Sequence, residues 1–262
     1  MKRAMCVMLV LGFVPIAALA DEEKDAKPAN PALEILKKVD AACKALKSVK
    51  YDVTGSADGA MAARFGAFEA SIDASGRVSP NQRTPGKYKF DVKFTLPGTT
   101  EPIHLSGGTD SEVFFVVHHK DKTAYEDIDP AVMGQAAGVL PRIMIIEYLF
   151  DEPFSDEING KQQELKGSKT IGGEDCHEIH VIYQAEGAPE ATWCFSKKDY
   201  LPRQRIDHYT LPNGEKGTVT KTATNVVANP KFADDDFKLK LPEDYTKTDD
   251  FAPDIFPRQN PR

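Results

Sequence analysis

The chain has no block rich in lysine and arginine, no apolar run of bilayer-spanning length and none of the short motifs that announce catalysis. The first absence, together with a formal net charge of −7, disfavours nucleic acid, because an acidic surface repels phosphate arrays and anionic membranes alike. The second argues against stable membrane insertion, which takes ~20 consecutive apolar residues. No Gly-x-Ser-x-Gly elbow, His-Glu-x-x-His pair or glycine-rich phosphate loop occurs, so no nucleophile, metal-bound water or nucleotide has a visible cradle. A Cys-x-x-Cys pair is missing as well, and with it the usual dithiol redox centre. No cofactor and no catalytic residue is expected, and the chain reads as non-enzymatic. Apolar material is plentiful, at 41% of residues, enough for one real core.

The N-terminus predicts export. Lys2 and Arg3 precede an apolar stretch from Val7 to Ala18 that closes in Ala18-Leu19-Ala20 before Asp21, the pattern of a secretory signal peptide over residues 1–20. Cys6 lies ahead of the apolar stretch, where no lipid anchor would be attached, so a soluble periplasmic product is expected. Lys2 and Arg3 are the only charges lost with the signal, which moves the formal charge from −7 to −9. Residues 21–30 carry charge without apolar periodicity and read as a flexible leader; residues 246–262, with prolines and charges, read as a loose tail. A single domain over 31–245 lies between them.

Within that domain the hydrophobic period changes three times. Asn30 can cap a helix with Pro31 in its first turn, and Leu36, Val39, Cys43 and Leu46 recur at spacings of three and four, which predicts an amphipathic helix over 31–47. A period of two then predicts strands near 50–57, 61–73, 87–96, 102–108, 112–118 and 122–127, joined by short connections into an antiparallel meander. The cleanest alternates Tyr88, Phe90, Val92, Phe94 and Leu96 with Lys87, Lys89, Asp91, Lys93 and Thr95. From Pro130 to Phe150 a helical period returns, with Pro141 breaking it into two pieces; the apolar run Ile143–Phe150 reads as a helix buried on the sheet rather than as a membrane contact. Strands follow near 161–171, 174–183, 191–196, 201–211 and 216–227, punctuated by Gly172-Gly173 and by Pro212-Asn213-Gly214. A single turn at Asp234–Asp236 and a last short strand through Phe237, Leu239 and Leu241 complete the reading.

Three cysteines remain once Cys6 is removed. With residues 184–186 as the loop between two strands, Cys176 falls opposite Cys194, and an oxidising compartment predicts a disulfide there, adding about 3 kcal/mol by loop closure. Cys43, on the apolar stripe of the helix, is expected as a buried free thiol. Cys176, Glu178, His180 and Cys194 share one strand face and raise the rival of a metal site. Residues four apart on a strand are roughly 13 Å apart, so Cys176 and His180 do not close on one ion, and no metal site is expected. His118 and His119 invite a catalytic reading, but strand neighbours face opposite sides.

Several short motifs, in order, resemble the superfamily of periplasmic lipoprotein carriers that includes the carrier and receptor of the lipoprotein localisation pathway. They are Ile35-Leu36-Lys37-Lys38 leading to Leu46-Lys47-Ser48; Arg83-Thr84-Pro85-Gly86-Lys87-Tyr88-Lys89-Phe90, with Thr84 inserted; Thr109-Asp110-Ser111-Glu112-Val113-Phe114, with Ser111 in place of glycine; Asp199-Tyr200-Leu201-Pro202-Arg203; and Phe237-Lys238-Leu239-Lys240-Leu241-Pro242. Gly172-Gly173-Glu174-Asp175-Cys176-His177 and Trp193-Cys194-Phe195 are similar to one uncharacterised branch. The resemblance implies an α+β fold, a strongly curved antiparallel sheet forming a half-open β-barrel covered by helices, with an apolar cavity for acyl chains. Candidates for its lining are Phe65, Phe90, Val92, Phe94, Phe114, Val116, Ile179, Val181, Trp193 and Phe195. The implied partner is a lipid or acylated protein. The alternatives are an envelope sensor of the same fold that binds a protein partner and, third, an envelope hydrolase.

Overall fold

A computed structural model describes residues 30–77, 86–128 and 140–248. The signal and leader expectations, and the first of the two helical pieces expected between Pro130 and Phe150, therefore lie outside the described residues.

Twelve strands form one sheet: β1 (Ser48–Gly59), β2 (Ala67–Ser75), β3 (Lys87–Thr95), β4 (Ile103–Thr109), β5 (Phe114–His118), β6 (Thr123–Asp127), β7 (Gln162–Ile171), β8 (Glu174–Ile182), β9 (Glu190–Ser196), β10 (Pro202–Thr210), β11 (Lys216–Ala228) and β12 (Thr246–Lys247). Their order is β12-β6-β5-β4-β3-β2-β1-β11-β10-β9-β8-β7. Two antiparallel meanders meet where β1 pairs with β11, and the sheet ends at β12 and β7 without closing. Bulges interrupt the ladders in β11 between Thr224 and Val227, opposite Lys50 and Asp52, in β7 between Leu165 and Gly167 and in β10 between Pro202 and Gln204; an extra residue on one strand bends it and raises its twist, which curls the sheet. At the β7–β8 hairpin, Gly172 and Gly173 adopt φ of 56° and 83°, the two left-handed residues that a two-residue turn of this kind demands.

Helix α1 (Pro31–Ala45) begins as expected: the Asn30 side chain accepts from the Ala32 N–H at 3.0 Å, and Pro31 occupies the first turn. It buries Ala32, Leu36, Val39 and Cys43 and leaves Lys37, Lys38 and Lys44 in water. Two single-turn helices follow, α2 (Leu140–Ile143) and α3 (Ser155–Ile158), with a 3₁₀ turn at Ile146–Tyr148 between them. The protein is thus mostly sheet, and among the described residues its cover on the concave side is helix α1 plus a segment of short turns over 140–158, where the second of the two expected helical pieces falls.

Two further expectations change. Residues 61–66 are not strand: Arg64 and Phe65 donate backbone N–H to Met61, a helical turn that suits the helix formers Met61, Ala62, Ala63 and Arg64. Pro141 sits inside the first turn of α2, where its missing N–H costs nothing; the helical piece expected before it lies outside the described residues. The apolar run after it is buried: Ile143, Met144 and Ile145 are at most 1% exposed, and the Tyr51 hydroxyl accepts from the Ile145 N–H at 3.1 Å. Nor is 237–241 a strand. Phe237 closes a 3₁₀ turn, Leu239, Leu241 and Tyr245 lie against Phe115, Val117 and Ala124 on the outer sheet face, and Thr246–Lys247, assigned above to the loose tail, pairs in parallel with β6.

Candidate functional site

Side chains of β1–β3 and β8–β11 that point into the curve pack against α1 and residues 143–154 in one core. Phe154 stands edge-on to both Trp193 and Phe195 at 5.3 Å between ring centres. That packing stops beneath α2. There a cavity of about 640 Å³ opens, walled by Phe65, Phe68, Phe94, Leu96, Ile146 and Val219, with Arg64 and Arg142 at its exposed edge. Strand pairing explains the wall: Phe68 faces Phe94 across β2–β3, and Phe68 also pairs with Gly55 across β1–β2. A Cβ on Gly55 would lie 1.8 Å from the Phe68 ring, so glycine is what lets that ring lie flat over β1.

The cavity floor is charged. Arg205 donates to Glu147 Oε1 at 2.6 Å and to Asp207 Oδ1 at 2.7 Å, and its guanidinium lies 4.9 Å from the Trp193 ring centre. Lys221, 5% exposed, donates to the Pro141 carbonyl at 2.8 Å. Two cations and two carboxylates balance, which is what makes such burial tolerable. Burial works against the Arg205 cation, but Glu147 and Asp207 outweigh it and raise its pKa, whereas burial and Arg205 lower that of Lys221. Glu147 Oε2 is buried and has no hydrogen-bond partner among the described residues, so one acceptor on the floor is unspent.

Of the ten residues expected to line a cavity, only Phe65 and Phe94 do so. Phe90, Val92, Phe114, Val116, Ile179, Val181, Trp193 and Phe195 are buried, each no more than 7% exposed; for all but Phe114 and Val116, residues 143–154 share their core and occupy the space an open half-barrel would leave. The sequence reading missed Phe68, Ile146, Val219 and the floor charges. A signal existed: in β11 strict alternation puts Lys221 between Val219 and Ala223 on the buried face.

The cysteine expectation is also corrected. Cys176 pairs in register with Ser196, and Cys194 with Glu178, so the two are diagonal neighbours on the outer face, and such pairs sit ~7–8 Å apart, beyond disulfide reach. Cys43, Cys176 and Cys194 are free thiols; burial, first among the causes, raises the pKa of all three, Cys194 to about 12.

Also on the outer face, Asp91 of β3, His104 and Ser106 of β4 and His119 beyond β5 converge. His104 Nε2 lies 2.9 Å and 3.0 Å from the two Asp91 oxygens; Ser106 Oγ lies 2.6 Å from Asp91 Oδ2 and 2.6 Å from His119 Nε2; Tyr245 Oη lies 3.0 Å from His119 Nδ1. The neighbouring histidines do diverge as expected, and His119 is the one that joins this cluster. Burial opposes the charge on Asp91, yet hydrogen bonds from Ser106 and His104 hold its pKa down; burial, then His104, lower that of His119.

The sequence matches no family model, and no curated protein is similar to it. Solved structures are. LprF from Mycobacterium bovis is 13% identical over 76% of this chain and 96% of its own, with a TM-score of 0.47. MucB is 13% identical over 80% of this chain, with a TM-score of 0.48, and this chain spans 62% of it. A LolA superfamily protein from Nitrosomonas europaea is 11% identical over 80% of this chain and 99% of its own, with a TM-score of 0.27. No helix among the described residues is long and apolar enough to cross a membrane.

Proposed function

We propose that this chain is an exported, non-enzymatic binder of an amphiphile, a lipid or the acyl group of a modified protein. The apolar part enters beneath α2, and an acidic head group meets Arg64 and Arg142. The cavity carries the reading. Its volume lies within the ~300–1,000 Å³ usual for small-molecule sites, its wall is aromatic and aliphatic, and Arg64 and Arg142 at its edge take no part in the floor network. Arg205 and Lys221 of the floor are committed to protein acceptors, which favours a binding site over a catalytic one.

Delipidated protein should bind a fluorescent fatty acid saturably, and oleate or phosphatidylglycerol should displace it. Val219→Trp, which fills the wall, should weaken binding at least tenfold while the fold persists; Arg64→Ala with Arg142→Ala should weaken acidic amphiphiles more than neutral ones. Absence of saturable binding by the delipidated wild type would remove the carrier reading, and a cellular role that survives Val219→Trp would favour a surface that binds a protein partner instead.

A further inference from the structure

From the outer-face cluster we infer that Asp91, His104 and His119 form a binding site for a divalent transition metal ion, zinc being the natural probe. This site is independent of the cavity, which opens on the opposite face of the sheet. Three features point to it. The first is spacing: one ligand atom from each of the three residues lies within 4.8 Å of the others, and tetrahedral zinc, with bonds near 2.0–2.1 Å, sets its ligand atoms about 3.3 Å apart. The Asp91 carboxylate already lies 2.9 Å from His104 Nε2 and 3.9 Å from His119 Nε2; drawing both imidazoles onto one ion takes side-chain shifts of up to about 1.5 Å, on β3, β4 and the turn that follows β5. The second is donor chemistry, for two imidazoles and one carboxylate suit zinc, iron, nickel or copper and leave at least one position open.

The third is how the proton positions are set. Ser106 has one hydroxyl hydrogen and donates it to the Asp91 carboxylate. Its 2.6 Å contact with His119 must then use an Nε2–H, which in a neutral ring leaves Nδ1 to accept from Tyr245. On metal binding that proton moves to Nδ1, the Nε2 lone pair turns to the ion, and the Tyr245 hydroxyl changes from donor to acceptor; His104, whose Nε2–H donates to the Asp91 carboxylate, shifts its proton to its own Nδ1 in the same way. No proton is lost and no group is stranded. The hydroxyl therefore supplies the outer hydrogen bond that ligating histidines almost always make. Tyr245 belongs to the segment that lies across the outer face and adds β12 beside β6, so the ion would tie that segment to β3, β4 and β5.

A hydrolytic role for the Ser106–His119 contact fares worse. Ser106 lies mid-strand with its neighbours in register on both sides, Asp91 on β3 and Val117 on β5, so its surrounding amides serve the ladders and offer no oxyanion hole. Asp91, moreover, orients the serine and not the histidine.

The test is calorimetric titration of the chelator-treated full chain with zinc sulfate, read together with metal content after dialysis. One zinc per chain is expected, with affinity lowered at least tenfold by His104→Ala or Asp91→Asn and stoichiometric binding abolished in the double variant His104→Ala, His119→Ala. Tyr245→Phe should lower affinity by about ten- to a hundredfold without changing far-ultraviolet circular dichroism, and so reports on the site even if a ligand variant folds poorly. The pair His180→Ala, His208→Ala should bind as the wild type does. Failure of the wild type to take up one zinc, or equal uptake by the His104→Ala, His119→Ala variant, would overturn the assignment.

Discussion

Glu157 should make the protein less stable as the medium turns from acid to neutral, which is the reverse of what a carboxylate in an ion pair does. Its side chain is 4% exposed at the end of α3. Burial first, and the nearby Glu147 second, push its pKa from 4.5 to about 7, against the hydrogen bond it accepts from the Tyr183 hydroxyl at 2.7 Å. Between those two values the folded chain holds a proton that the unfolded chain has released, so stability falls as pH rises across the window. The contribution is complete below the unfolded value and gone above the folded one. A displacement of this size corresponds to about 3 kcal/mol. His119, His177 and His208, whose values burial lowers, act in the opposite direction, since the unfolded chain takes up protons they refuse. The measurement is therefore a difference. Urea unfolding of wild type and Glu157→Gln from pH 4.5 to 8, followed by the fluorescence of the single tryptophan, should show the variant gaining on the wild type by about 3 kcal/mol between the acid and alkaline ends. The histidine contributions cancel between the two proteins. A flat difference, or one that shrinks with rising pH, would mean that Glu157 is not held in a desolvated neutral form.

Other outcomes follow from the packing. Trp193→Ala removes the ring that touches Phe154, Phe195 and Arg205 and should cost about 3–5 kcal/mol in urea unfolding followed by circular dichroism. Gly55→Val should force the Phe68 ring off β1 and weaken probe binding in the cavity, while Gly55→Ser, with its smaller group, should do so less. Cys43, Cys176 and Cys194 should all react with a thiol reagent when the chain is denatured without reductant; a shortfall of two thiols would restore the Cys176–Cys194 bond.

Much of the architecture is readable along the chain because it is decided by near neighbours. Alternation of Tyr88, Phe90, Val92 and Phe94 with charged residues marks β3 and its faces, Gly172-Gly173 marks a hairpin, and Asn30-Pro31 marks a helix start. The misreadings have a common origin in short segments with two compatible periods. Met61–Phe65 has apolar residues enough for a strand but helix formers over Met61–Arg64, and Phe237–Leu241 alternates like a strand although it pairs with no strand among the described residues. Its leucines cover the outer face instead.

By itself the amino-acid order determined the two meanders, their inward and outward faces, the first helix and the buried state of Cys43, since each depends on contacts within one element or one turn. Tertiary structure alone decided register, and with it the chemistry. Sliding β9 against β8 by two residues returns every side chain to its own face, so alternation is blind to the slip that separates Cys176 from Cys194. The same blindness hid the meeting of Asp91, His104 and His119, which needs three strands in step. Whether the curved sheet stayed open or was filled rested on where residues 143–154 came down, a contact between distant parts of the chain that no local pattern encodes.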